Sequence, residues 1–264
     1  MTNFYTYSLL PILVVGLAVV LASSEIGWQL GLRAKGRGRE NMPALEQSVL
    51  ALLALIIGFT FFMALTRYES RRDAILTEAN AIGTTALRAR LLPDPHRTTI
   101  LTLLREYAQI RVDYIGRGRS FAQVPEVIQR SNEIQEALWQ QAKAVVAMDK
   151  EMVPTGLFIQ TLNELIDDQA KRLSALRNQI PTIVLLSLFG IAAIGGAFAG
   201  YAAALEPQRT RLPVYALGFL VSGIIMVILD LDRPNIGFVT VSQQPMIDVT
   251  ASIAAFPEVS QSGH

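Results

Sequence analysis

The chain has 264 residues, 51% of them hydrophobic and only 17% charged, with a formal net charge of +1, two histidines and no cysteine. This hydrophobicity excludes a disordered chain. The missing cysteines exclude a disulfide framework and a thiolate metal site, His96 and His264 alone make no multi-histidine site, and the near-neutral charge leaves no nucleic-acid footprint.

Leu9 to Leu32 contains a single charge, Glu25. A bilayer core needs about 20 apolar residues per helix, so this stretch reads as a first transmembrane helix. No Lys or Arg precedes Arg33. The basic leader of a signal peptide is therefore missing, and an uncleaved helix is expected. An acid within a span is a candidate functional group, although Glu25 stands close enough to the helix end to reach the interface. A basic, glycine-broken loop follows, with Arg33, Lys35, Arg37 and Arg39.

Ala44 to Thr66 is the second span, with Glu46 near its start. Ala51, Leu55 and Phe59 fall on one face of it at i, i+4, i+8, with Phe62 and Met63 beyond. Around a symmetry axis such a face makes a hydrophobic constriction of the kind that gates pores by dewetting. The same spacing also fits lipid contact or core.

Residues 67–180 hold 16 of the 23 Lys+Arg and 14 of the 22 Asp+Glu. This insert reads as helical throughout. The second helix is expected to continue beyond the membrane until Pro93-Asp94-Pro95, where Asp94 caps the next helix and Pro95 opens it. Leu103, Tyr107, Ile110 and Tyr114 make one stripe at helical spacing. Ile128, Ile134, Leu138 and Val145 make another after the break at Gly116–Gly118 and a start at Pro125. Phe158, Leu162, Leu165, Leu173, Leu176 and Ile180 make a third after Pro154. Core packing between antiparallel helices accounts for all three. The last helix is expected to flow into the third span with a kink at Pro181.

Pro181 to Leu205 and Leu212 to Leu229 are uncharged and complete a set of four spans. Gly190, Gly195, Gly196 and Gly200 in the third argue for close helix packing. Residues 206–211 form a second short loop, with Pro207, Arg209 and Arg211. The tail begins with Asp230-Leu-Asp-Arg-Pro234, and Gly237 to Ser242 is read as extended. Four domains follow: 1–66 with two transmembrane helices, a helical extramembrane domain 67–180, two further transmembrane helices in 181–229, and a tail 230–264. Four spans put the N-terminus, insert and tail on one side and both short loops on the other. The charge distribution does not orient them: the short loops carry six basic residues, and so do the insert's two membrane-proximal ends, at Arg67, Arg71, Arg72, Lys171, Arg172 and Arg177.

The same parity brings Arg67, Arg71 and Arg72 to the membrane surface that carries Asp230, Asp232 and Arg233. Acidic residues at a helix C-terminus oppose its dipole by roughly 0.3–1 kcal/mol each, so the two aspartates suggest a compensating partner, the arginines or a cation; ordinary solvated charge at the interface is the alternative. A calcium site needs about six to eight oxygens, and two aspartates fall short of that, so no metal is expected. Glu78-Ala-Asn-Ala-Ile-Gly83 is a small-residue stretch suited to a tight helix interface. It would enclose Glu78 and Asn80, or else line an ion path. His96 reads as a solvated loop residue. No nucleophile motif, P-loop or metal signature is present, so neither an enzyme nor a cofactor is expected.

Ile57-Gly-Phe-Thr-Phe-Phe-Met-Ala-Leu-Thr-Arg-Tyr68 with Arg71-Arg72, the Glu78–Gly83 stretch, Asp230-Leu-Asp-Arg-Pro234, Gly237 and Val241-Ser242 together resemble the bacterial bestrophin-like domain family over nearly the whole chain. More distantly, Gly58-Phe59 and Thr66-Arg67-Tyr68 resemble the second helix of the bestrophin anion channels. That resemblance implies an all-α membrane protein with four transmembrane helices and long helical cytoplasmic extensions. It implies a homopentameric anion channel, with both termini and the insert in the cytoplasm. The neck would fall on Ala51, Leu55 and Phe59, although Ala51 is smaller than the residue the resemblance leads one to expect. Only Asp230 and Asp232 stand where bestrophins carry a longer acidic calcium clasp. The implied partners are the lipid bilayer of a bacterial inner membrane, further copies of the chain and small inorganic ions. The competing expectation is a non-conducting membrane scaffold whose helical domain binds a partner.

Overall fold

The structure is a computed structural model that describes residues 9–34, 42–116, 124–148, 153–206, 210–234 and 237–256. Lys35, Arg37, Arg39, Gly118, Pro207, Arg209 and His264, and the side chain of Tyr114, lie outside that description. The order of elements is α1 (Leu9–Arg33), α2 (Met42–Ala89), α3 (His96–Gly116), α4 (Val124–Met148), α5 (Val153–Arg177), α6 (Thr182–Leu205), α7 (Leu212–Asp232) and α8 (Gln244–Ala254). There is no strand among the described residues. Among the described residues, four helical segments are long and apolar enough to cross a membrane. The chain divides into two compact units, Met1–Tyr68 with Asn178–Thr240 and Glu69–Arg177 with Val241–His264. Helix α2 continues from the first into the second without interruption.

The first unit contains α1, the apolar part of α2, α6 and α7. Its core is built from Val20, Leu53, Ala64, Leu185, Leu188, Ala192, Val221, Ile225 and Ile228. Close packing of α1 on α6 depends on glycine at two positions in particular. A Cβ at Gly27 would lie 1.9 Å from the Ala197 carbonyl oxygen, and one at Gly200 would lie 2.0 Å from that of Ser24. With little hydrophobic force between helices in lipid, backbone approach of this kind supplies the packing. Gly195 and Gly196 also face neighbours within van der Waals reach, whereas Gly190 faces open space. Apolar side chains such as Val14, Val15, Leu186, Ile194, Phe219 and Leu220 point outward, as a lipid-facing surface requires.

In the second unit, α2 beyond Arg67 packs with α3, α4, α5 and α8 around Ile82, Ile100, Leu104, Tyr107, Ile134, Leu138, Phe158, Leu162, Leu165, Met246 and Ile253. Asp94 accepts from the Thr98 hydroxyl at 2.9 Å at the start of α3, and α4 and α5 carry Pro125 and Pro154 as their second residues. Arg105 on α3 donates to the carbonyls of Ile253 (3.3 Å) and Phe256 (3.0 Å), covering the end of α8. Gly83 makes room for α8, since a Cβ there would sit 3.2 Å from Val249 Cγ2. Because α8 is fastened to the insert, insert and tail lie on one side. An even number of crossings must therefore separate Arg177 from Val241, and α6 and α7 supply two.

Three sequence expectations are corrected. His96 is not a solvated loop residue: it opens α3, half-buried, with Nδ1 2.7 Å from Gln141 Oε1. Helix α5 does not flow into α6: it ends at Arg177, and α6 begins at Thr182 after the non-helical stretch 178–181. The missing N–H of Pro181 and its bias against helix at Ile180 explain the break, and the Ile180 N–H bonds to the Asp232 carboxylate at 2.8 Å instead. Gly237 to Val239 is bent rather than extended, because the Asp230 carboxylate takes the N–H groups that a strand would use.

Candidate functional site

The apolar part of α2 has two distinct faces. Leu53, Thr60 and Ala64 point into the first unit, each less than 5% exposed. Ala51, Leu55, Phe59 and Phe62 point away from it, Leu55, Phe59 and Phe62 being 55%, 62% and 65% exposed. A side chain added at Gly58 would meet nothing within 4 Å. The exposed face follows from helical period alone, since positions 55, 59 and 62 recur every three to four residues. Apart from Ala51 it is large, apolar and aromatic.

At the end of this apolar stretch, the first unit brings Arg67 and the aspartates together. Asp232 is fully buried. One of its oxygens accepts the Ile180 N–H, and the other lies 3.9 Å from Arg67 Nε. Asp230, also buried, accepts from the N–H groups of Phe238 (3.0 and 3.1 Å) and Val239 (2.8 Å). The two acids of α7 thus fasten chain segments on either side of the span pair, which offsets their unfavourable place at a helix C-terminus. Arg233 is buried and follows directly. Arg71 is buried within the second unit, whereas Arg72 and Asn80 are exposed.

Glu25 has partners at the opposite end of the spans. Tyr215 donates to it at 2.8 Å, Arg211 lies at 3.3 Å, and the Arg211 guanidinium stacks over Trp28 at 5.2 Å. The end of α1 and the start of α7 therefore share one face, while the end of α7, Arg67 and Ile180 share the other. These contacts fix the four-span parity from within the first unit.

A further buried polar cluster centres on Glu78 in the second unit. Its carboxylate is fully buried. Arg111 binds it through two nitrogens, Nε at 2.8 Å and Nη2 at 3.1 Å, and Arg172 Nη1 donates at 2.6 Å. Tyr107 Oη is 2.9 Å from Glu78 and 2.8 Å from the Gln169 side chain. Its one proton goes to the carboxylate, the stronger acceptor. Burial, reinforced by the neighbouring Glu78 carboxylate, raises the Tyr107 phenol well above its ordinary value. Arg172 also donates to Gln243 at 3.2 Å, at the start of α8. One acid thus ties α2, α3, α5 and the tail together. Arg111 and Arg172 continue the buried stripes of their own helices, Leu104–Tyr107–Arg111 and Phe158–Leu162–Leu165–Gln169–Arg172. An arginine in phase with a core stripe is the sequence signal that could have found them. The Glu78–Gly83 stretch lies in a tight interface at Glu78, Ala79, Ala81 and Ile82, but not at Asn80.

Compared with known proteins, residues 17–246 match the sequence profile of the Bestrophin-like domain. No curated protein matches the chain. Among solved structures, a bacterial bestrophin homologue from Klebsiella pneumoniae is similar in three crystal structures, each 15% identical. In a tryptophan-to-alanine variant, 94% of this chain and 96% of that one are covered at a TM-score of 0.68. The corresponding values are 91%, 95% and 0.65 for a second structure, and 90%, 99% and 0.68 for a tyrosine-to-alanine variant. At this identity the likeness shows the fold.

Proposed function

We propose, from the premise that this chain belongs to the bestrophin-like domain family and is a multi-pass membrane protein, that it assembles as a homopentamer and conducts anions. The single observation that carries this reading is the outward face of α2. Leu55, Phe59 and Phe62 are large, apolar and without cover in one copy of the chain. Set around an axis, they form a constriction that dewets when narrow and passes ions when it widens. Ala51 marks the wider outer end of this neck.

The arginines near the inner mouth raise the local anion concentration there. Arg67 is held by Asp232, and Arg72 is exposed. By the family resemblance, the insert 67–180, the tail 230–264 and the N-terminus lie in the cytoplasm of a bacterium, with the spans in its inner membrane. Glu78, Asn80 and Arg71 then belong to the cytoplasmic body that continues α2, and Arg233 to the end of α7 in the first unit, rather than to the ion path.

The first test is the mass of the purified protein in mild detergent. A pentamer supports an axial pore. A monomer or dimer leaves no axis and favours a non-conducting scaffold. With a pentamer in hand, reversal potentials under a chloride gradient decide the sign of the permeant ion.

A further inference from the structure

We propose that residues 237–239 after α7 form a membrane-interface anchor, with Phe238 inserted among the lipids at the boundary between headgroups and acyl chains. This inference rests on the spans alone and stands whether or not the protein conducts. Helix α7 has 21 residues, about 31 Å at 1.5 Å per residue, which matches a hydrocarbon core of about 30 Å. Its last turn therefore lies at the edge of that core. Asp230 belongs to this turn, and its carboxylate accepts the Phe238 and Val239 N–H groups at 2.8 to 3.1 Å. The loop is thus held at the depth of the helix end rather than projecting away from it.

Irregular backbone at that depth needs its polar groups satisfied from within the protein, and the Asp230 carboxylate does this for two successive amides. So close an approach requires glycine at 237, where a Cβ would lie 1.9 Å from Asp230 Oδ1. The helix beneath is covered, since Ile228 to Asp232 are all buried. Residues 237–239 present Phe238 outward, 82% exposed, more than any other large apolar side chain described. The outward face of α7 leading to this point is itself apolar, with Phe219, Leu220, Ile224 and Val227 exposed. An apolar ring at the end of a lipid-facing stripe, on backbone already satisfied, fits the boundary between headgroups and acyl chains, where Phe, Trp and Leu anchor interfacial segments.

The chain has no cysteine, so Phe238→Cys gives a single attachment point for a nitroxide spin label in the full-length protein. In phosphatidylcholine–phosphatidylglycerol vesicles, the ratio of collision with oxygen to collision with a water-soluble nickel chelate is read by power saturation. Val15→Cys, exposed on a span, and Thr84→Cys, exposed in the second unit, set the lipid and water limits. The expected ratio at 238 lies several-fold above that at 84 and below that at 15. A ratio equal to that at 84 overturns the proposal. So does poor access by both reagents, which would mean that another copy of the chain covers the ring. Should the 238 variant fail to fold, the same readout at Val239→Cys decides.

Discussion

Glu78 and Arg172, 94 residues apart in sequence, meet at 2.6 Å in the buried interior of the second unit. Around this contact the continuation of the proposed pore helix is locked to α3, α5 and the tail. Removing one partner from a buried ion pair leaves an uncompensated charge and costs roughly 3–5 kcal/mol. Glu78→Ala is therefore expected to lower the thermal unfolding midpoint sharply in detergent. Arg72→Ala, at an exposed position, should leave it nearly unchanged. Equal midpoints for the two variants would contradict the arrangement.

Tyr107 offers a spectroscopic view of the same cluster. Its phenol is held well above the ordinary tyrosine value, first by burial and then by the Glu78 carboxylate. A group whose value is raised in the fold contributes stability that is complete below the unfolded value, about 10 for tyrosine. That stability is lost as pH rises from there through the folded value. In an ultraviolet titration, the difference between the wild type and Tyr107→Phe should show no tyrosinate from Tyr107 until the protein unfolds. An ordinary titration near pH 10 in folded protein would contradict this.

Asp230 makes a prediction at the membrane surface. Asp230→Ala leaves the Phe238 and Val239 amides without their acceptor, at a cost of about 1–3 kcal/mol. Hydrogen exchange at these two amides should accelerate markedly, while the amides in the middle of α7 keep their protection. Unchanged exchange at 238 and 239 would show that the carboxylate does not hold the loop.

The glycines separate packing from composition. Gly27→Ala forces a methyl group into the Ala197 backbone, and overpacking of this kind costs typically about 1–3 kcal/mol. Gly190→Ala meets nothing within 4 Å and gains up to about 1 kcal/mol from helix propensity. Opposite shifts of the unfolding midpoint are expected.

Helices and spans were legible in the sequence because burial in lipid and helical period write directly into residue type and spacing. Leu103, Tyr107, Ile134, Leu138, Phe158 and Leu162 fell on the faces that pack. The four-span count followed from nearly charge-free stretches alone. Pro181 announced a kink, but the full break before it also uses the Ile180 N–H bond to Asp232, 52 residues away. The bend at 237–239 was not legible, because it rests on the Asp230 carboxylate turning back to amides eight and nine residues on. Arg111 and Arg172 escaped for a related reason. A charged residue on a core stripe reads as solvated until its buried partner is known, and Glu78 lies on a different helix. Asp230 and Asp232 at a helix C-terminus signal a need for partners, but residue types alone do not show that backbone amides supply them.

The neck rests on the two faces of α2. Phe59 faces outward and Leu53 inward on the same helix, 62% and 4% exposed. The decisive measurement is ionic current through the purified oligomer in planar bilayers, for the wild type, Phe59→Ala and Leu53→Ala. The account predicts anion-selective current in the wild type and altered gating or selectivity in Phe59→Ala. Leu53→Ala should leave conduction properties intact even where it lowers stability. A verified oligomer that passes no current across salts and voltages, or a Phe59→Ala variant that conducts as the wild type does, would contradict it.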